Sequence, residues 1–199
     1  MSLRLGSKLA LFTLLCCAPY QVFSQVVPAA RAAATPFSVG GGINYWTTDW
    51  GHTKMEGATV WADYFPHFVP QVLHGLGLEA EARDISWNKG DKPNNYRQAT
   101  VGGELLYSWD HFRSFRPYIK GGMAFGGIST RFPHDPSYTH DTRTVTALGG
   151  GAQYRLVGHI WARADWEYQR WPALFGPNAT TPYGFTFGAM YDFRHRSRY

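Results

Sequence analysis

From Tyr183 to Phe193 the chain alternates bulky apolar side chains with small or polar ones. Tyr183, Phe185, Phe187, Tyr191 and Phe193 keep the beat, with Ala189 between them, against Gly184, Thr186, Gly188 and Asp192; only Met190 is out of step. A period of two puts each set on its own face of a β-strand, whereas a helix would scatter both. The run is long for a strand of a soluble domain. It matches the roughly 9–11 residues that a tilted strand needs to cross a bilayer. An aromatic face opposite a Gly/Thr/Asp face suits lipid on one side and a packed polar lumen on the other.

Seven more segments repeat this pattern. Phe37, Val39, Gly41, Ile43 and Tyr45 oppose Ser38, Gly40, Gly42 and Asn44, and Ala58, Val60, Ala62 and Tyr64 oppose Thr59, Trp61 and Asp63. Over 76–87, Leu76, Leu78, Ala80 and Ala82 interleave with Gly77, Glu79, Glu81 and Arg83. Ala99, Val101, Gly103, Leu105, Tyr107 and Trp109 oppose Thr100, Gly102, Glu104 and Ser108. From Pro117 to about Ile128, Ile119, Gly121, Met123 and Phe125 face away from Lys120, Gly122, Ala124 and Gly126. Placing Gln153 inward sets Thr146, Leu148, Gly150, Ala152 and Tyr154 outward over 144–154. Last, Ile160, Ala162, Ala164, Trp166 and Tyr168 oppose Arg163, Asp165, Glu167 and Gln169. The fold class expected is all-β, an eight-stranded antiparallel up-and-down transmembrane barrel over 36–193. Long connections at 47–56, 88–97, 129–143 and 170–182 alternate with mostly shorter ones, as outside loops and periplasmic turns do. The 66–75 connection has room for one helical turn.

Arg4 and Lys8 precede the apolar run Leu9 to Ala18, the layout of a secretory signal. Cleavage is expected after Ser24, followed by a mobile small-residue leader at 25–35; a basic tail follows the barrel at 194–199, with no further domain expected. Both cysteines, Cys16 and Cys17, fall in the signal, so the mature chain offers neither disulfide nor cysteine metal site. Removing residues 1–24 leaves 17 basic against 14 acidic residues, lowering the net charge from +5 to +3, too mild to imply nucleic acid. The 22 Gly, 8 Trp, 12 Tyr and 13 Phe beside only 17% charged residues suit a barrel with aromatic girdles. Expected rim aromatics are Tyr45, Trp46, Trp87 and Trp171 at one end, and Tyr64, Trp109, Tyr154, Trp161 and Phe193 at the other.

The closing strand, the segment Gly149-Gly150-Gly151-Ala152-Gln153-Tyr154-Arg155 and the segment Arg116-Pro117-Tyr118-Ile119-Lys120 resemble the eight-stranded bacterial outer-membrane barrels that include OmpA-type domains and opacity-type adhesins. The chain departs from the strictest form of that pattern, because Arg194 to Tyr199 follow the terminal aromatic. The resemblance implies an outer-membrane location after secretion to the periplasm. It also implies partners among outer-membrane lipids and, during biogenesis, periplasmic chaperones and the barrel-assembly machinery. A monomer is expected, with no cofactor.

The lipid-facing set expected is Val39, Ile43, Val60, Leu78, Val101, Leu105, Met123, Phe125, Trp166, Phe185, Phe187, Tyr191 and Phe193. The inward charges are Asp63, Glu79, Glu81, Arg83, Glu104, Lys120, Arg163, Asp165 and Glu167. An eight-stranded interior is just wide enough to be filled by side chains, so these are expected to pair as a plug, with Arg83 and Lys120 neutralising Glu79, Glu81 and Glu104. A narrow solute or ion pore is the alternative. No catalytic or metal site is expected: His195-Arg196-Ser197 lies past the closing strand without a following acid, and His52, His134 and His140 are loop residues. A lipid A-modifying enzyme therefore ranks behind a scaffold whose loops work. Trp50, Tyr96, Tyr138 and Phe175 are the loop aromatics expected to meet an extracellular ligand. A soluble lipocalin-like barrel would reverse the faces, with Phe185, Phe187, Leu78 and Val101 inside and Glu81 and Arg163 in water.

Overall fold

The computed structural model describes residues 36–47, 49, 54–66, 68–70, 73, 75–87, 96–112, 114–132, 135–173 and 179–193. Eight strands run in chain order: β1 (Phe37–Thr47), β2 (Lys54–Tyr64), β3 (Leu76–Trp87), β4 (Tyr96–Ser108), β5 (Phe115–Phe132), β6 (Asp135–Val157), β7 (Ile160–Arg170) and β8 (Tyr183–Asp192). Each pairs antiparallel with its sequence neighbour, and β8 returns to β1 to close the barrel. Closure gives every strand two hydrogen-bonded neighbours, which is what allows strands to stand in hydrocarbon.

The apolar faces point outward. Phe185, Phe187, Leu78 and Val101 are exposed on the outer wall, while Glu81 and Arg163 are buried within. That is the reverse of a lipocalin. The other outward positions agree: Val39, Ile43, Val60, Leu105, Met123, Phe125, Trp166, Tyr191 and Phe193 are all exposed, with Ile43 and Phe125 each about 70% so. Among the described residues no helix is long and apolar enough to cross a membrane. Among the described glycines one takes the left-handed conformation, Gly158 at φ 53°, and it makes the tight β6–β7 turn.

Three expectations change. First, the loop rhythm largely dissolves, because polar residues at one end continue the strands. β2 begins at Lys54 and β4 at Tyr96, and most of 129–143 forms a hairpin in which Ser129 pairs with His140 and Arg131 with Tyr138. Polar composition signalled water around these residues, not loss of strand pairing. β5 and β6 consequently reach 18 and 23 residues and overshoot the wall. Second, three supposed rim anchors are core residues. Trp46 and Trp171 have no exposed surface and Trp161 almost none, because all three occupy lumen-facing positions. Tyr45, Tyr64, Trp109, Tyr154 and Phe193 remain on the outside.

Third, Tyr96 is half-buried at the mouth rather than displayed in a loop. It packs against the clusters around Trp46 and around Trp171. Tyr138 lies within β6, opposite Arg131. Trp50 and Phe175 fall outside the described residues, as do His52, His134, His195, the signal, the leader and the tail.

Lumen glycines make room for this packing. A Cβ on Gly184 would lie 2.4 Å from the Trp46 ring, and one on Gly126 would lie 2.2 Å from the Trp171 ring. Both distances are far inside contact, so the tryptophans lie where these glycines leave space.

Placing a charge on the wall tests the orientation. Val101→Lys should lower the urea midpoint of the barrel refolded in lipid vesicles, costing about 2–4 kcal/mol at mid-depth. An unchanged midpoint would put this face in water.

Candidate functional site: the ionic lumen

The inward positions of β3, β4, β5 and β7 carry long charged side chains to one level of the barrel. Lys120 on β5 is the node: its ammonium lies 2.9 Å from Glu79, 2.7 Å from Glu81, 3.2 Å from Glu104 and 2.9 Å from Glu167. Arg83 forms a two-pronged bond across the barrel to Glu167, donating from Nη1 to Oε1 and from Nη2 to Oε2, both at 2.8 Å. It also meets Glu81 at 2.5 Å and donates from Nε to the Thr59 hydroxyl. Arg163 donates from Nη1 to Glu79 Oε2 at 2.6 Å, from Nη2 to Glu79 Oε1 at 3.0 Å and from Nε to Asp165 at 2.9 Å; Asp63 lies 3.6 Å away.

All nine predicted lumen charges are thus buried in one contiguous network. The pairing differs in detail from the expected one. Glu79 is held by Lys120 and Arg163, Glu104 by Lys120, and Arg83 reaches Glu81 and Glu167. Fork-to-fork guanidinium–carboxylate bonds supply both geometry and strength. Such partners are needed, since a lone charge in this interior would cost several kcal/mol.

The flanking layers were not foreseen. Toward the β1–β2 connection, Trp46, Met55 and Ile85 form one buried cluster, and Ile128, Val145 and Trp171 another. Between them and the charges, Gln98 donates to Gln169, Gln169 to Glu167, and Trp171 Nε1 to Gln169. Toward the opposite end lie Trp61, Trp161 and Met190, with Phe65, Leu106 and Tyr118 alongside. Arg116 reaches Asp192 at 2.7 Å there.

Three buried arginines also lie over aromatic rings. Arg83 is 4.2 Å from the centre of Trp46, Arg116 3.8 Å from Trp161, and Arg163 4.6 Å from Trp61. Arg116 and Gln98 lie outside the inward set expected from the sequence, although the parity of Arg116 with Lys120 and of Gln98 with Thr100 was the available signal.

Strands that are apolar outside, ionic within and closed into a cylinder define an integral membrane β-barrel. A family model described as outer membrane protein beta-barrel domain matches residues 9–193, and the chain belongs to that family. Its place is the bacterial outer membrane.

Solved structures share the fold. Neisserial surface protein A superposes with a TM-score of 0.63 at 13% identity, over 79% of this chain and 97% of that one. Ail, the attachment invasion locus protein of Yersinia pestis, does so with a TM-score of 0.55 at 14% identity, over 78% and 96%. Ail in complex with the heparin analogue sucrose octasulfate gives 0.55 at 13% identity, over 78% and 96%. No curated protein matches the sequence.

The network makes a checkable claim about coupling. Arg83→Met leaves Lys120 as the one cation shared by Glu81 and Glu167 and should cost about 3–5 kcal/mol, whereas adding Glu167→Gln should recover a substantial part. Urea unfolding of the two single variants and the double variant in vesicles measures this. Strict additivity would show that the pair is not coupled.

Proposed function

We propose that this barrel is a non-enzymatic surface scaffold whose lumen is closed by its own side chains and whose work is done at the end carrying the β5–β6 hairpin. The observation that carries the reading is the filled interior: Lys120, Arg83 and Arg163 tie four strands together across it, with tryptophan layers above and below. A solute path would have to break several charge-assisted bonds at once. The apolar wall, including Leu78, Leu105, Met123 and Phe187, then faces acyl chains.

The orientation proposed follows from the overshooting hairpin. Longer extensions stand outside the cell in outer-membrane barrels, with short turns in the periplasm. Residues 1–24 direct secretion, chaperones and the assembly machinery insert the chain, and it works as a monomer. The exposed mouth carries Lys54, Arg97, Arg143 and Arg170, and Tyr138 lies in the hairpin. Ail, which shares the fold, was solved with a heparin analogue. A sulfated polysaccharide is therefore the first ligand class to test.

Two measurements decide the reading. Purified barrel in planar bilayers should give no unitary conductance steps; regular steps would favour the narrow-pore alternative. Cells displaying the protein should bind immobilised heparin, and deleting residues 131–138 should weaken that binding by roughly tenfold, the scale of one or two lost charge-assisted contacts. Undiminished binding would remove the hairpin from the function.

A further inference from the structure

The lumen network does not balance. Three cations, Arg83, Lys120 and Arg163, meet six buried carboxyl groups, and six minus three leaves three carboxyls in excess. Arg116 and Asp192, one of each sign, leave that excess unchanged. A carboxylate without a partner in such an interior takes up a proton rather than stay charged. Four of the six are held by cations. Glu79 takes a two-pronged bond from Arg163, and Glu167 takes one from Arg83. Glu81 lies against Arg83 and Lys120, while Asp165 accepts from Arg163 Nε and from the Tyr118 hydroxyl.

Glu104 and Asp63 are left over. Lys120 has four carboxyls within 3.2 Å, but an ammonium has only three hydrogens to donate. Glu104 is the farthest of the four, and no donor is aligned on its Oε2. The other groups around that ammonium, Glu79 and Glu81 from β3 and Glu167 from β7, are all acidic. Asp63 has no exposed surface. Its Oδ2 accepts from the Ser38 hydroxyl of β1, while no donor reaches Oδ1. Arg163 on β7 lies 3.6 Å from that oxygen, with its Nη1 already donating to Glu79 at 2.6 Å. Directly across the β2–β3 register stands Glu79, whose carboxyl lies within hydrogen-bonding reach of Asp63. Two ionised carboxylates can only repel at that separation, whereas a hydrogen on one of them turns the contact into a bond. Among the described residues no three acidic or histidine side chains converge where a metal ion could sit.

We propose that the folded barrel keeps Asp63 and Glu104 protonated at neutral pH, so that folding takes up two protons and the ionic plug loosens as the pH rises. The hydrogen on Asp63 is donated to Glu79. With both groups neutral, four carboxylates face three cations, and the excess falls from three to one. In the unfolded chain both carboxyls are ionised at neutral pH, since their ordinary pKa values are about 4. The folded state therefore binds more protons than the unfolded one. Stability falls as the pH rises, until the folded barrel itself releases them. Alkali then sets six carboxylates around three cations, and the bracing across the lumen is weakest there. None of this depends on which end faces outward or on what the mouth binds.

Infrared spectroscopy of the protein refolded in lipid vesicles reads these protons directly. Protonated carboxyl groups give a C=O stretch apart from that of carboxylates, and it shifts in deuterated water. The band should be present at neutral pH, and Asp63→Asn and Glu104→Gln should each remove one of its two components. Asp84→Asn, on the outer wall, should leave it whole. All variants must first show the heat-modifiable gel mobility of a folded barrel. Urea unfolding against pH gives the second reading. Between mildly acid and neutral pH the folding constant should fall by about a hundredfold per pH unit relative to that of the Asp63→Asn/Glu104→Gln double variant, about tenfold for each proton. A native spectrum without the band would overturn the proposal, and a band left whole by either variant would overturn that residue's part in it. Equal pH slopes for the native protein and the double variant would overturn the proton uptake.

Discussion

The structure depends on keeping charge out of lipid by satisfying it inside a closed wall. Lys120, Arg83 and Arg163 leave bulk water only because carboxylates on several strands surround them. Several of the lumen bonds skip the strand neighbours. Arg83 to Glu167 joins β3 to β7, Arg163 to Glu79 joins β7 to β3, and Arg116 to Asp192 joins β5 to β8. The strand ladder closes the cylinder around its circumference; these pairs brace it across its diameter. In a low-dielectric interior such a pair earns little net stability over an apolar filling, but losing one member is costly. Its structural value is therefore specificity of register, because a slip of one residue would turn every charge toward lipid.

Size follows from the same constraint. The interior of an eight-stranded barrel has room for side chains and little else. Arginines and tryptophans are too large to share one level all round, so the chain offsets them with glycine. Gly184 clears space for Trp46, Gly126 for Trp171, and Gly40 for Trp61, whose ring would lie 2.5 Å from an added Cβ. Each guanidinium then stacks over one of the rings, so the ionic layer passes into the aromatic layers without an apolar gap. Glycine abundance in this sequence is thus a packing requirement of the lumen as well as a feature of turns.

What could be read from sequence follows from which signals are local. Period-two alternation is local, so the face of Glu79, Lys120, Arg163 and Phe185 could be assigned without knowing any partner. Partners are non-local. Nothing near Arg83 in the chain points to Glu167 rather than Glu104, because that choice depends on how far the strands are staggered around the barrel. Strand ends misled for a different reason. Polar residues such as Lys54, Arg97 and Ser129 look like loop, yet a strand that rises out of the bilayer stays paired while its surroundings turn aqueous. The tryptophans were placed at the rims by residue type, although the parity of Trp46 with Asn44 and of Trp161 with Arg163 already pointed inward.

On the reading proposed above, a lumen filled by its own side chains leaves function to the surfaces. Inside, each base is committed to several carboxylates and the aromatic layers cover both ends, so a reactive or transporting group would have to compete with its own neighbours. Outside, the wall is under a single demand, to be apolar at hydrocarbon depth, and any departure from that demand has to be tolerated by the lipid that meets it. The Asp84–Arg97 pair marks a height at which the outer wall turns polar, while Ala58, Ala82 and Ala99 beneath it leave the wall low on one side of the barrel. An uneven wall is not equivalent around its circumference: Phe125 and Leu148 stand out from it, whereas Ala82 leaves it low. The ionic core braces the wall across its diameter, and so holds the mouth and the flanks of the barrel at fixed positions.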